Sequence, residues 1–537
     1  MKPSTRRMSL IGVAAIATLL LSACIPPPSF FSLPGSNSGS SGGSSGGGSS
    51  AGDGNSVYPH GPSGDFPSAD VESFYTQDVD WQECLGSKIC GTVEAPMDWF
   101  NPDDHEPITV SMVIRPADGE RYGALLYNPG GPGGSGFEYI SQYAEYLIPA
   151  DVLEHYDVVG FDPRGVGESS PVSCYDDPEY FKDWLYDIPS GEQPEFLSDD
   201  WFEDAAAAGE EFGQQCLEHT GDLLGFVGTE QAASDMDLIR ALVGEEQLNY
   251  LGVSYGTLLG ATYAELFTDK VGRFVLDAAV APTTTDSEMS LFQAKGFEGA
   301  LTAYLESCLN GSKCPFDGSV EDASKDVRAL LDEVAEKPLK VADGRQLGSS
   351  TLFTAIAYNL YSSSSWSTLS EVFQTVMDGS GEFAMQNADQ YNGLNPDGTF
   401  ADNSSEAFMA INCLDYPAER SRDQVRQDAE ELQEVAPIFG QDFAGGGICG
   451  SWPFESTREP HEINAPGANQ IIVIGGTNDP ATPYEWSVKT ADMLDSGVLI
   501  TVEAEGHGQY NSGNACVDQP VTDYFLNGTE LSGDLDC

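Results

Sequence analysis

Ser254 stands in Gly252-Val253-Ser254-Tyr255-Gly256, which fits G-x-S-x-G, the spacing of a serine nucleophile. The motif alone is weak in a chain this rich in Gly and Ser. Gly39-Ser40-Ser41-Gly42-Gly43 and Gly43-Ser44-Ser45-Gly46-Gly47 match it too. Context separates the three. The apolar run 248–252 predicts a buried strand before Ser254, and 255–267 predicts a helix after it. Neither of the other copies has such flanks. Glycines on both sides allow a sharp strand-to-helix turn without a Cβ clash. That turn lifts the hydroxyl out of a sheet and sets the next N–H at a helix N-terminus.

A second signal is the loop Asn128-Pro129-Gly130-Gly131-Pro132-Gly133-Gly134-Ser135-Gly136, which follows a predicted strand at 123–127. Glycines at the carboxyl end of a strand let backbone N–H groups approach a ligand. The loop lacks the lysine of a P-loop and the G-x-G-x-x-G spacing, so phosphate is not its expected ligand. The N–H groups of Gly131 and Tyr255 are instead expected to bind the oxyanion of a tetrahedral intermediate. One such donor is typically worth roughly 3–4 kcal/mol of barrier.

The elements that must position these groups alternate. Short apolar runs at 108–114, 123–127, 156–161, 248–252, 273–277, 470–474 and 498–502 predict strands, and 230–242 and 255–267 predict helices. The run 108–114 alternates as a half-buried strand does. This pattern predicts an α/β fold with a mostly parallel sheet and helices on both faces. It breaks between about 281 and 465, where helical stretches such as 323–336, 352–361 and 422–436 predict an inserted cap. A second insert, 171 to about 228, holds 13 acidic residues against one Lys between Asp176 and Glu211. A solvated helix face is the expected reading of that acid run.

Charge removes some functions. Lys plus Arg total 23 against 85 Asp plus Glu, a formal net charge of −62. Such a surface repels phosphate backbones, so nucleic acid is a poor partner. The six His residues show no HExxH, and no CxxC occurs, so no zinc site is expected.

The Pro-Gly-Gly-Pro-Gly core (129–133), Gly160-Phe161-Asp162-Pro163-Arg164-Gly165-Val166-Gly167-Glu168-Ser169, the Ser254 motif and Gly475-Gly476-Thr477-Asn478-Asp479-Pro480-Ala481-Thr482-Pro483 carry a resemblance. Over about 70–537 the chain resembles α/β-hydrolases of the prolyl and tripeptidyl aminopeptidase group, with a TAP-like C-terminal region, secreted by actinomycete-like bacteria. Asn128 stands where such relatives often have His, which bears on loop packing more than on donor geometry. The resemblance implies an α/β-hydrolase fold with the triad in the order Ser, acid, His. His507 then follows as the histidine, because His461 precedes the strand at 470–474. Asp479 follows that strand in a Gly/Pro turn and is the expected acid; Glu485 and Asp492 are rivals farther on. Thr482 can hydrogen-bond Asp479 or His507, or cap a helix.

The implied chemistry is acyl transfer through a Ser254 acyl-enzyme, with His507 as base and Asp479 holding its tautomer. It needs no cofactor and no metal. The resemblance implies peptide substrates cleaved near their N-termini, and a capped site favours chain ends. An aminopeptidase must hold an ammonium, and buried carboxylates suit that task. Asp415 and Glu138 are the candidates for substrate binding. A carboxylesterase or lipase with the same triad, and a non-catalytic surface binding protein, remain as alternatives.

The first segment reads as an address. Lys2, Arg6 and Arg7 precede an apolar run, 10–21, too short to span a bilayer. Leu21-Ser22-Ala23-Cys24 resembles a bacterial lipobox, which predicts cleavage before Cys24 and its acylation. Thr5-Arg6-Arg7 partly resembles a twin-arginine signal, with Ser9 where an aromatic residue is usual. Membrane contact is expected only through this lipid anchor. The expected divisions are a signal peptide at 1–24, a Gly/Ser-rich tether at 25–65, core at 66–280, cap at 281–465 and core again at 466–537. Eleven cysteines leave ten once Cys24 is set aside. Near-neighbour disulfides are expected for Cys84 with Cys90, Cys174 with Cys216, Cys308 with Cys314, Cys413 with Cys449 and Cys516 with Cys537.

Overall fold

A computed structural model describes residues 57–186, 188, 193–417, 421–445 and 448–537. The expectations for the signal peptide, Cys24 and the tether up to residue 56 lie outside these residues. In chain order the strands are β1 (Gln82–Cys84), β2 (Lys88–Ala95), β3 (Ile108–Arg115), β4 (Gly123–Asn128), β5 (Tyr156–Phe161), β6 (Leu248–Val253), β7 (Val271–Asp277), β8 (Leu339–Lys340), β9 (Gln346–Leu347), β10 (Ile471–Asn478), β11 (Gly497–Glu505) and β12 (Leu535–Asp536). Ten of them form one sheet in the order β1-β2-β3-β5-β4-β6-β7-β10-β11-β12, and β8 with β9 makes a separate hairpin. From β5 through β4 to β12 every pairing is parallel, whereas β1, β2 and β3 run antiparallel to their neighbours.

Why these runs become strands follows from burial on two faces. Every residue of β4 and β5 is buried. Because side chains alternate, each strand feeds two cores. Val113, Leu125, Val158, Leu251, Val275, Ile472 and Ile500 pack with the helices Gly136–Leu147 and Ala515–Asn527. Ile114, Leu126, Val159, Tyr250, Phe274 and Val473 share the other core with the helices Thr229–Leu242 and Tyr255–Leu266. This two-sided cover explains one difference from expectation: β3 is not half-buried, since Thr109 is its one exposed residue.

Among the described residues between β7 and β10 lie seven helices of ten or more residues, from Asp286–Leu309 to Arg422–Val435. Two of them open on reciprocal capping boxes, Thr285 with Glu288 and Ser319 with Asp322. Their apolar residues, among them Phe297, Leu352 and Phe408, belong to the same continuous core as one face of the sheet. The acidic insert between β5 and β6 carries the helices Pro178–Tyr186 and Asp199–Thr220. Trp201, Phe202 and Phe212 face inward there, while Asp199, Asp200, Glu203, Glu210 and Glu211 are exposed. Five disulfides join the same five pairs that the spacing suggested.

The tether expected through residue 65 ends earlier. Tyr58 is buried against Trp81, and its hydroxyl donates to Asp157 at 3.2 Å. Ser63 N–H donates to Ala241 O, and Asp65 pairs with Lys270. An aromatic side chain with a partner for its hydroxyl gains from burial, so the segment from residue 57 lies on the body.

Candidate active site

Ser254 sits between β6 and the helix Tyr255–Leu266 with φ 59° and ψ −126°. A non-glycine residue in such a region costs about 1–3 kcal/mol and persists where its surroundings fix it. Here Ser254 N–H donates to Asp277 O at 3.0 Å, and Ser254 O accepts from Thr257 N–H at 2.8 Å. The flanking glycines keep negative φ; their need is space. A Cβ on Gly252 would lie 2.4 Å from Gly256 O, and one on Gly256 would lie 2.7 Å from Asn128 Oδ1.

The glycine loop after β4 leans on this turn. Asn128 Oδ1 accepts the Gly130 N–H at 3.0 Å, and Gly134 N–H closes back on Gly130 O at 3.1 Å. Gly130 has φ 98°, and a Cβ there would lie 2.5 Å from Val253 O and 3.2 Å from Tyr255 N. Gly130 N–H is therefore occupied, whereas among the described residues Gly131 N–H donates to no other group. Tyr255 N–H belongs to the first turn of its helix, where intrahelical acceptors are lacking.

The 160–169 motif clamps that loop from behind. Asp162 accepts from Ser135 Oγ at 2.6 Å, Phe137 N–H at 3.2 Å and Glu168 N–H at 2.9 Å. Burial pushes its carboxyl up to about 6, against these hydrogen bonds. Arg164, wholly buried, meets Asp235 through two bonds of 2.7 and 2.6 Å and donates to Pro96 O, Met97 O and Phe226 O. Every guanidinium edge is thus used. Breaking such a buried pair typically costs about 3–5 kcal/mol, because a charge is left without a partner.

β6, β7, β10 and β11 are parallel neighbours, so their carboxyl ends share one edge. Asp479 follows β10 and His507 follows β11 on that edge. His507 Nδ1 lies 2.9 Å from both Asp479 oxygens. Asp479 Oδ1 also accepts from Ala481 and Thr482 N–H, each at 2.9 Å, and Oδ2 accepts from Thr482 Oγ1 at 3.1 Å. Burial works to lower the His507 pKa, but the charge and hydrogen bond of Asp479 and the charge of Asp277 leave it raised. His507 Nε2 is buried without a hydrogen-bond partner, so it is not bonded to Ser254 Oγ in this structure. Such contacts are often long before substrate binds. From the cap, Tyr361 O accepts the His507 N–H at 2.9 Å, and the two rings meet edge to face. The rivals lie elsewhere: Glu485 pairs with Lys295, Asp492 is exposed, and His461 pairs with Glu265.

The two substrate-binding candidates part company. Asp415, expected to meet an ammonium, has no accessible surface. Its Oδ1 accepts Thr229 N–H at 2.9 Å and its Oδ2 accepts Thr229 Oγ1 at 2.5 Å. Thr229 Oγ1 in turn lies 2.6 Å from the Tyr255 hydroxyl. With the Thr229 proton given to Asp415, Tyr255 donates to Thr229. Asp415 thus braces the side chain beside Ser254 from the cap and offers no open face to a ligand. Glu138 is half-buried on the first turn after the glycine loop. Its pKa is raised by burial and by repulsion from Asp402, while Gln142 donates to it at 2.8 Å. Asp402 reaches this place because Asn403 is pinned to the 160–169 motif. Asn403 Nδ2 donates to Gly165 O and Val172 O, and its Oδ1 accepts Gly167 N–H, each at 2.8 Å. The sequence reading missed Asp402, Asn403, Tyr361 and Asp277. Only Asp277 carried a signal, as a carboxylate ending an apolar run.

Strand order, elbow and histidine edge together define an α/β-hydrolase. Residues 436–537 match the model of the family described as TAP-like protein. The chain is 34% identical over 484 residues to the serine protease Hip1 of Mycobacterium tuberculosis, covering 86% of this chain and 91% of that one. It is 35% identical over 461 residues to a protein of the same species named carboxylesterase B, covering 83% and 86%. It is 31% identical over 479 residues to the tripeptidyl aminopeptidase of Streptomyces lividans, covering 86% of each. The chain belongs to the prolyl and tripeptidyl aminopeptidase family of serine α/β-hydrolases.

Proposed function

We propose that this protein is a serine peptidase that releases short fragments from peptide N-termini through an acyl-enzyme on Ser254. The observation that carries the reading is the buried His507, with Nδ1 on Asp479 and Nε2 left for a substrate-side partner, on the strand edge that bears Ser254. In this reading His507 Nε2 takes the Ser254 proton as Oγ attacks the scissile carbonyl carbon. Gly131 and Tyr255 N–H stabilise the oxyanion. His507 then protonates the leaving amine, and water activated by the same nitrogen releases the acyl group. The names of the protease and tripeptidyl aminopeptidase relatives support peptides as the substrate class.

The test is a panel of fluorogenic amides with one, two or three residues, each with a free or an acetylated N-terminus, beside short acyl esters. Turnover of free-amine amides that acetylation abolishes supports the reading and gives the step length. Ester turnover alone favours the second reading, a carboxylesterase, which the relative named carboxylesterase B motivates. Silence on every substrate, with no labelling by a fluorophosphonate, leaves a binding protein.

Glu138 is the proposed acceptor of the substrate ammonium, since a cation there would offset its repulsion by Asp402. A hydrogen bond to a charged group is worth about 1.5–3 kcal/mol. Glu138→Gln should therefore raise KM about tenfold or more for free-amine amides. Equal effects on acetylated substrates would remove Glu138 from amine binding.

The proposed location is outside the cytoplasm, on a membrane through acylated Cys24. Five disulfides suit an oxidising compartment. No helix among the described residues is long and apolar enough to cross a membrane. Cys24→Ser should move the protein from the membrane fraction to the soluble one, and retention in the membrane would end the anchor reading.

A further inference from the structure

We propose that Asp277 is a positioning residue for His507: it holds the turn after the histidine through two backbone N–H groups and sets a second carboxylate charge on the imidazole. This rests on the reading of His507 as the general base.

Asp277 ends β7, between β6 and β10, and is 2% exposed. Its backbone oxygen receives the Ser254 N–H at 3.0 Å. Its carboxylate receives Gln509 N–H at 2.8 and 3.1 Å and Tyr510 N–H at 2.8 Å. One residue therefore ties the serine turn and the histidine turn to the same strand end. Both carboxylate donors are neutral amides. Neutral acceptors hold amides without the cost of burying a charge, so a carboxylate here points to use of its charge. Burial raises the Asp277 carboxyl to about 6, while Tyr510 and Gln509 N–H and the His507 charge pull the other way.

The charges that reach His507 are few. Asp479 meets Nδ1 from the turn after β10, and Asp277 acts from β7. From the cap, Tyr361 meets the imidazole edge to face and brings no carboxylate or ammonium group. Thr482 is neutral, with Oγ1 at 3.3 Å from Nδ1. Glu505, at the end of β11 two residues before His507, accepts from Asn478 Nδ2 at 2.8 Å through Oε1, leaves Oε2 buried without a hydrogen bond, and is repelled by Glu306. Removing the Asp277 charge disfavours the imidazolium, both at rest and in the transition state.

The experiment compares wild type, Asp277→Asn and Asp277→Glu. The acid limb of kcat/KM reads the histidine of the free enzyme, and the downfield Nδ1 proton resonance titrates the same ring without turnover. Asp277→Asn should shift limb and resonance midpoint down by about one pH unit and lower kcat about 10- to 100-fold, with KM nearly unchanged. Asp277→Glu, which keeps the charge on a longer arm, should leave the midpoint in place while lowering kcat. An unmoved midpoint in Asp277→Asn, at any kcat, overturns the proposal and leaves Asp277 a structural clamp. If that variant does not fold, a shifted midpoint in Asp277→Glu overturns it equally. Wild-type protein that turns over nothing yet shows the predicted titrations would sink the peptidase reading and not this one.

Discussion

Ser254→Ala should lower turnover of every substrate by about 10⁵- to 10⁶-fold and abolish labelling by a fluorophosphonate. Loss of a serine nucleophile in such a triad leaves only the oxyanion donors and substrate binding, whose residual contribution over water is about 10³–10⁴. Alanine removes one oxygen and keeps the Cβ that already lies against the glycine loop. The hydrogen bonds that fix the turn are made by Ser254 N–H and O, and both survive the change. Binding of substrate should therefore persist while chemistry stops. Retention of more than about one per cent of wild-type activity would remove Ser254 from the nucleophile role.

Asp479→Asn should cost about 10⁴-fold in kcat with little change in KM. The hydrogen-bond pattern dictates why. Ala481 and Thr482 N–H both donate to Oδ1, so the asparagine oxygen must occupy that position. Its NH₂ then takes the place of Oδ2 and faces His507 Nδ1. A donor there opposes the Nδ1–H, which keeps only the oxygen at the Oδ1 position, and favours the tautomer with the ring proton on Nε2. The nitrogen required as base is then already protonated. Loss of the negative charge also lowers the His507 pKa, so the acid limb should move to lower pH even as the rate collapses. The pH profile of kcat/KM for the purified variant checks both effects. A loss below tenfold would exclude Asp479 as the acid.

Much of the sheet was legible because its strands lie covered on both faces, so they read as unbroken apolar runs. Tyr156–Phe161 coincides with its predicted span. Other strand ends were not legible: β10 runs on to Asn478 and β11 to Glu505, through glycines and polar residues held by pairing with each other. The short hairpin β1–β2 escaped because its first strand is polar and partly exposed. At the site, the glycine loop, Ser254, Asp479 and His507 stood out because local turns at strand ends have local sequence signals. Asp415 misled for the opposite reason. A carboxylate near a cysteine reads alike whether it opens to a cleft or is sealed by Thr229, and only the packing of cap on core decides. Asn403 and Tyr361 act across more than a hundred residues of chain, and no periodicity records such contacts.

Tyr361 ties the cap to His507. Its carbonyl is the acceptor for the backbone of His507, and its ring is that residue's neighbour. A cap that swings away to admit a chain end would thus carry off part of the scaffold of the general base. Such an open state would be catalytically incompetent as well as wet. Under the proposed mechanism, water entering such a state would find a disarmed histidine, and hydrolysis would be confined to the interval when a substrate is enclosed. On that reading the cap would act as a safety catch on His507 rather than as a door in front of it.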